Sequence, residues 1–512
     1  MRLLDGLDDA QRHAVTSPAA PLCIVAGAGS GKTRVLTRRI AYRIATGEAD
    51  AARTVAVTFT RRAAWELRTR LRSLGLDVDG GQRVHVGTLH SLVYGRLRQY
   101  WRDNGIAPRR IFDNATRGLT VDEQRRRGII EFDEVLLEFA EAVRHDRAFA
   151  DAVRWFFRHV YVDEFQDVSA AQFEAVMALV GDRADLCVVG DPNQSIYGWN
   201  GADPSLMASL PARFPGLEVV RLDANYRSAP PIVAAAARVL HMAVPAAGGE
   251  RGAAAPTLTR HTTPDDEADA IARAVRAAHA PNTPWSDIAV LARSNAYLEG
   301  IAAALHRSRI PYRIAGRLAL LGRPAVREGL AGLPHSVPAV EAALQLRSAA
   351  HDYDDAIERG ALHEVADLAR DFDGLVPGGS VAAFIEWLPT VRPGDTLAGP
   401  DAVQLVTFHK AKGLEWRTVF VAGVHDGLVP VANGDVEEER RLLYVAMTRA
   451  ERALHLSYAG HPSPFLPDGF DELAVPPAPS NSPERVADLR SVLAATSPPA
   501  SARARRRRHP AA

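Results

Sequence analysis

Apolar residues along this chain gather into short runs rich in valine and isoleucine. Longer stretches separate the runs, and in these apolar positions recur every three or four residues. The runs in the first half are "LCIVAG", "TVAVTFT", "HVYVDE", "LCVVGD" and "LEVVRLD". Those in the second half are "DIAVLAR", "VQLVTFH", "TVFVAG" and "ALHLSYA". Short continuous apolar runs read as strands buried on both faces. Their alternation with helical periodicity predicts α/β architecture with parallel sheets, one for each cluster of runs.

Three stretches break the pattern. Residues 245–267, "PAAGGERGAAAPTLTRHTTPDDE", are rich in Pro, Gly, Ala and Thr and read as an interdomain connection. Residues 96–128, basic and irregular, and 331–399, Ala-rich and helix-like, read as insertions into the two α/β units. From near Pro462 the chain is rich in Pro, Ser and Ala and ends in "RARRRRH". This composition predicts a disordered tail with a basic end that weakly attracts polyanions.

Composition narrows the class. At 512 residues the chain exceeds what one hydrophobic core organises, so several domains are expected. With 47% hydrophobic and 24% charged residues it reads as an ordinary globular protein. It has no apolar run of about 18 residues that would span a membrane. The opening "MRLLDGLDDAQ" carries acids where a secretory signal would be apolar. The expectation is a cytoplasmic protein with no membrane partner. Cys23 and Cys187 sit inside apolar runs, as buried thiols of a reducing compartment do. The 61 basic and 61 acidic residues cancel, so a nucleic-acid partner has to be read from local sites.

The strongest local signal is "CIVAGAGSGKTRVL", a Gly-rich loop between a strand-like run and a helical pattern. Ala26, Gly27, Ala28, Gly29, Ser30 and Gly31 let backbone N–H groups close around phosphate oxygens. Lys32 would reach the outer phosphates, and the Thr33 hydroxyl can ligate magnesium. Ala26 stands where such loops usually begin with glycine. "HVYVDEFQD" supplies the acidic partner: Asp163 to hold magnesium and Glu164 to polarise an attacking water. Adjacent carboxylates after a strand suit hydrolysis better than transfer to a second substrate.

These motifs, together with "LDDAQRHAV", "VTFTRRAAWELRTRL", "VGTLHSL", "VVGDPNQSIYGWNGAD", "LDANYRSAPPIV", "VTFHKAKGLEWRTVFVAGVHDGLVP" and "EEERRLLYVAMTRAERALHLSYA", follow one family's order from Leu7 to about Ala459. The chain resembles the UvrD/Rep/PcrA branch of superfamily 1 DNA helicases. The resemblance implies two RecA-like P-loop NTPase domains: 1A at 1–95 and 129–260, and 2A at 261–330 and 400–460. Accessory regions 1B and 2B would be reduced to 96–128 and 331–399, with 461–512 as the tail.

The resemblance also implies roles. Gln11 would read the adenine edge, Arg34 would lie beside the base, Tyr226 would stack on it and Glu415 would hold the ribose. Gln194 would sense the γ-phosphate, with Arg227 and Arg449 converging on it. Phe59, Tyr197 and Trp199 would stack on bases, while His90 and His409 would lie near the DNA backbone. Arg61 and Arg62 stand where the family often has Asn-Lys. Asn200 stands where it usually has Arg, so one charged contact is missing. The implied ligands are ATP and Mg2+. The implied partners are single-stranded and tailed duplex DNA and repair or recombination proteins. The implied activity is 3′-to-5′ translocation and unwinding; a DNA-stimulated translocase with weak intrinsic unwinding is an alternative, because the accessory regions are short. An RNA-directed motor and a non-catalytic DNA-binding subunit stay open as alternatives, the latter disfavoured by intact Lys32, Asp163, Glu164, Gln194, Arg227 and Arg449.

Overall fold

The computed structural model describes residues 2–78, 83–111, 123, 126–183, 185–248, 254–280, 283–314, 324–353, 356–376, 378–388, 401–466 and 472–474. The first half supplies β1 (Leu22–Ala26), β2 (Thr54–Thr58), β3 (His85–Thr88), β4 (Arg110–Ile111), β5 (Ile129–Ile130), β6 (His159–Val162), β7 (Leu186–Gly190), β8 (Glu218–Leu222), β9 (Ala224–Asn225) and β10 (Ala246–Ala247). Six of these form a parallel sheet in the order β3-β2-β6-β7-β1-β8; β4 pairs with β5 and β9 with β10.

Strand periodicity distributes this sheet between two cores. Val55 and Val57 face helices Leu89–Asp103, Phe132–His145 and Ala170–Val180, while Ala56 between them faces helices Lys32–Ala45 and Arg61–Ser73. Both faces are covered, which is why the runs are continuously apolar rather than alternating.

The second sheet contains β11 (Thr257–His261), β12 (Ile288–Ala292), β13 (Tyr312–Ile314), β14 (Val403–Thr407), β15 (Trp416–Val421), β16 (Ala450–Ala459) and β17 (Glu472–Ala474). Its order is β13-β14-β12-β15-β16-β11-β17, and every pairing is parallel. Helices Pro324–Ala331, Ala339–Ala349, Ala356–Leu375 and Val381–Trp387 form a separate small core around Leu346, Leu362, Phe372 and Phe384.

Several boundaries differ from the sequence reading. β11 lies inside the stretch read as a connection and pairs with β16, so the second sheet begins before residue 261. Helix Pro230–Val239, assigned by sequence to the first unit, packs against helix Val436–Met447 and β16. Helix Leu89–Asp103 runs through the expected 1A/1B boundary, and its Trp101 is fully buried in the first core. The tail does not begin at 461 as disordered chain. Phe465 is buried in the second core with Arg440 over its ring, and β17 adds to the sheet. Apolar residues in "PSPFLP" explain that packing. The basic run at 503–509 lies outside the described residues. Among these residues no helix is long and apolar enough to cross a membrane.

Candidate nucleotide and strand site

The Gly-rich loop leaves β1 and enters helix Lys32–Ala45 through Gly31, which has φ +83° and caps the helix with no side chain. Neighbouring helices are capped by Asp8, Thr60, Thr88 and Ser169 side chains. The N–H groups of this one helix end are therefore available to an outside anion, which the helix dipole favours. Gly29, with φ +69°, is constrained as well: a Cβ there would meet Asn225 Oδ1 at 2.7 Å and Arg227 Cβ at 2.8 Å. Asn225 Nδ2 donates to Ala28 O at 2.7 Å and Tyr226 N to Gly29 O at 2.8 Å, so the segment after β8 braces the loop. Lys32 Nζ donates to Ala26 O at 3.2 Å and Gly27 O at 3.4 Å, and lies 3.8 Å from Asp191 Oδ2.

β6 delivers the acids. Thr33 Oγ1 donates to Asp163 Oδ2 at 3.3 Å. Glu164 turns the chain with φ +53°, a left-handed conformation uncommon outside glycine, and Gln166 Nε2 donates to its Oε2 at 2.5 Å. Gln166 Oε1 also accepts from Asp191 N at 2.8 Å, tying the ends of β6 and β7. Burial and the neighbouring Glu164 push Asp163 up to about 7. Burial opposes the charge of Glu164 too, but Lys412 and Lys32 outweigh it and hold Glu164 below its ordinary value. A hydroxyl and a carboxylate side by side are the hard oxygen donors magnesium takes, with water and phosphate completing its shell. Among the described residues no group of three or more His, Cys, Asp or Glu is placed to hold a metal.

The second sheet closes the site. Arg449, 1% exposed, donates through Nη2 to Gln194 Oε1 at 3.4 Å and through Nε to Val445 O at 2.9 Å. Gln194 is oriented by its own bond to Asp191 Oδ2 at 2.5 Å. Arg227 Nε is ion-paired with Glu415 Oε2 at 2.5 Å, so two residues expected on γ-phosphate and ribose hold each other. All four line one cleft of about 780 Å³ with Lys32, Thr33, Asp163 and Glu164. At its expected adenine end Gln11, buried, donates to Ser30 O at 2.9 Å, and Arg34 donates to Gly6 O at 3.0 Å. Tyr226, 40% exposed, donates to Asp8.

The expected strand residues divide. Tyr197, Trp199 and His409 come together: the tryptophan ring centroid lies 6.3 Å from Tyr197 and 6.4 Å from His409, and Tyr197 Oη donates to His409 O at 3.3 Å. Trp199 is 71% exposed, with Asn200 exposed beside it. Burial, then Arg293, lowers His409 to about 4, so it is neutral near pH 7. Phe59 is half-buried at the end of β2 and lines the nucleotide cleft with Arg62. The Arg61 side chain lies outside the described residues. His90 is buried and its ring is stacked on Phe132 at 3.6 Å.

Sequence reading passed over Lys412, Asp167, Asn225 and Trp65, all in motifs already quoted; Trp65 lines the cleft together with Arg313. Lys412 and Asp167 are 245 residues apart, a separation that carries no pairing signal.

Two parallel sheets that share a cleft, one carrying a phosphate loop and the other an arginine, define a P-loop NTPase of two RecA-like halves. Residues 7–126 and 108–215 match the UvrD/REP helicase N-terminal domain, and residues 220–347 and 385–461 match the UvrD-like helicase C-terminal domain. The chain is 33% identical to ATP-dependent DNA helicase UvrD2 of Mycobacterium tuberculosis, across 90% of this chain and 80% of that protein. It is 27% identical to DNA helicase II of Escherichia coli, across 89% and 85%. It is 28% identical to ATP-dependent DNA helicase UvrD1 of Mycobacterium tuberculosis, across 90% and 83%. The chain belongs to the UvrD/REP helicase family.

Proposed function

We propose that the chain is an ATP-dependent DNA helicase that moves 3′-to-5′ along single-stranded DNA in repair, recombination or replication. The names of its relatives support DNA as the track, and the family resemblance supports the polarity. One observation carries the reading: Gln194, against Arg449 in the nucleotide cleft, and Trp199, exposed beside Tyr197, lie on a single turn after β7.

In this reading Thr33 and Asp163 hold magnesium, which supplies charge neutralisation at the outer phosphates when bound. Lys32 and the loop N–H groups position the phosphates, and Gln11, Arg34 and Tyr226 hold the base. Glu164 accepts a proton from the attacking water, its left-handed backbone and Gln166 fixing the carboxylate. Arg227 exchanges Glu415 for the γ-phosphate, leaving Glu415 to the ribose, and Arg449 stabilises the charge that develops on that phosphate. Because Arg449 directly precedes β16 of the second sheet, hydrolysis is tied to how the halves sit on each other. Phe59, Tyr197, Trp199 and His409 hold bases and backbone of the strand; the stacking contacts are indifferent to sequence. The buried free thiols Cys23 and Cys187 suit a reducing cytoplasm.

A weaker unwinding activity is favoured by one comparison. The alignment with the Escherichia coli protein runs over 615 positions, more than this chain's 512 residues, so this chain lacks segments its relative has. Short 1B and 2B regions would leave translocation intact and make duplex opening dependent on a repair or recombination partner.

The test is ATP hydrolysis with and without single-stranded DNA, paired with strand displacement on 3′-tailed, 5′-tailed and blunt duplexes. Hydrolysis is expected to rise with DNA and to vanish in Lys32→Ala, with opening confined to 3′ tails. Hydrolysis indifferent to DNA refutes the motor; opening from 5′ tails refutes the polarity.

A further inference from the structure

The turn at 194–199 follows β7 of the first sheet but packs into the second. Ile196 is fully buried in a core made by Leu442, Leu443 and Tyr444 of helix Val436–Met447 and by β15 and β16. On either side of Ile196 the same helix grips backbone atoms of the turn. Arg441 Nε donates to Ser195 O at 2.8 Å, and Glu438 Oε2 accepts from Gly198 N at 3.1 Å. Glu438 and Arg441 are three residues apart, so they share one helix face. Gly198 is what lets the carboxylate reach the backbone, because a Cβ there would collide with Glu438 Oε2.

The turn runs alongside the helix from end to end. At the N-terminal end Glu438 holds Gly198, next to Trp199; beyond the C-terminal end Arg449 meets Gln194. The helix is 12 residues long, which at 1.5 Å per residue is about 18 Å. It is anchored at its start by Asp435, which accepts from Glu438 N at 2.7 Å, and at its finish by Thr448 N donating to Tyr444 O at 3.0 Å. Glu438 and Arg441 line the groove beside Trp199 and do not line the nucleotide cleft.

We infer that Glu438 and Arg441 are positioning residues that transmit strand occupancy at Trp199 to the placement of Arg449 and Gln194. A base on Trp199 loads the turn. The Gly198–Glu438 and Ser195–Arg441 bonds pass that load to the helix, whose far end sets the arginine. The inference rests on the proposed DNA-stimulated motor and adds the contact that couples its two sites.

The test is steady-state ATP hydrolysis by the full chain, with and without a short oligothymidylate, alongside oligothymidylate affinity by fluorescence anisotropy. Glu438→Ala should lower the stimulated kcat about tenfold, while unstimulated kcat, ATP KM and oligonucleotide Kd stay within about twofold. Glu438→Gln keeps an acceptor oxygen and should restore at least half of the stimulation. Gly198→Ala breaks the same bond from the other side and should match Glu438→Ala, with the double variant no worse than either single one. Full stimulation in Glu438→Ala, failure of Gln to rescue, additive losses in the double variant, or a parallel loss of oligonucleotide affinity would each overturn the inference. The two readings separate cleanly. Wild-type hydrolysis that ignores DNA sinks the motor itself, whereas a stimulated wild type with an equally stimulated Glu438→Ala sinks only the coupling.

Discussion

Lys412 places its ammonium 2.7 and 2.6 Å from the two carboxylate oxygens of Asp167 and 2.6 Å from the carbonyl oxygen of Gln194, joining the two sheets at the nucleotide cleft. Both side chains are largely shielded from solvent, and burial pushes Asp167 up to about 6 even against the pull of Lys412. Removing one partner of such a pair strands the other charge without water, whereas removing both does not. Lys412→Met is therefore expected to destabilise the protein by about 3 kcal/mol in urea unfolding, and adding Asp167→Asn should recover a large share of it. A double variant less stable than Lys412→Met would contradict this.

Arg449 stays cationic near neutral pH, although burial and then Arg227 lower it to about 9, and its guanidinium meets Gln194 rather than a carboxylate. A cation held against a phosphate in this way is worth about a thousandfold or more in kcat. Arg449→Ala should lower DNA-stimulated kcat by about that factor and leave ATP KM nearly unchanged. Arg449→Lys should restore little, since an ammonium cannot reproduce the planar fork that spans Val445 O and Gln194. A loss confined to KM would instead make Arg449 a ground-state contact.

How much of this was legible depended on how local each signal is. All nine apolar runs contain strands of the structure, because strands buried on both faces leave a continuous apolar signature. β11 hid in "TLTRH" because its neighbours are loop-like in composition and its order comes from pairing with β16, almost two hundred residues away. β3, "HVGT", carries a glycine and a histidine, and β13 has only three residues. The phosphate loop and the acids after β6 were readable because their chemistry is set by adjacent residues. The Lys412–Asp167 and Glu438–Gly198 contacts were not, since each joins distant segments that look complete alone. The stack of His90 on Phe132 is of the same kind, since Phe132 comes from a later helix that the motif around His90 does not announce.

At the opposite end of the first sheet Asp185 accepts from Arg43 Nη1 at 2.9 Å and pairs with His159 Nδ1 at 2.6 Å. Burial would raise this carboxyl, but the His159 and Arg43 bonds outweigh it and hold it at about 2 against an ordinary 3.8. A depressed folded-state value means stabilisation that is present above pH 3.8 and lost as pH falls towards 2. The shift corresponds to about 2 kcal/mol. Asp185→Asn should be less stable than the wild type by about that amount at pH 7, with the gap closing in denaturant titrations repeated down to pH 2. A gap independent of pH would assign the loss to packing.

Trp199 offers the cleanest test of the strand site, because a side chain 71% exposed can be cut back with little cost to the core. Stacking on such a ring is worth about 1 to 3 kcal/mol per base, or roughly 5- to 150-fold in Kd. Trp199→Ala should weaken oligonucleotide binding within that range and lower stimulated hydrolysis more than unstimulated hydrolysis, while Trp199→Phe keeps much of both. The salt dependence decides what the ring contributes. Stacking releases no counterions, so the slope of log Kd against log salt should stay the same in Trp199→Ala, whereas loss of a phosphate contact would make it shallower. A shallower slope, or a wild type that binds abasic and normal strands equally well, would remove Trp199 from the set of residues that hold a base.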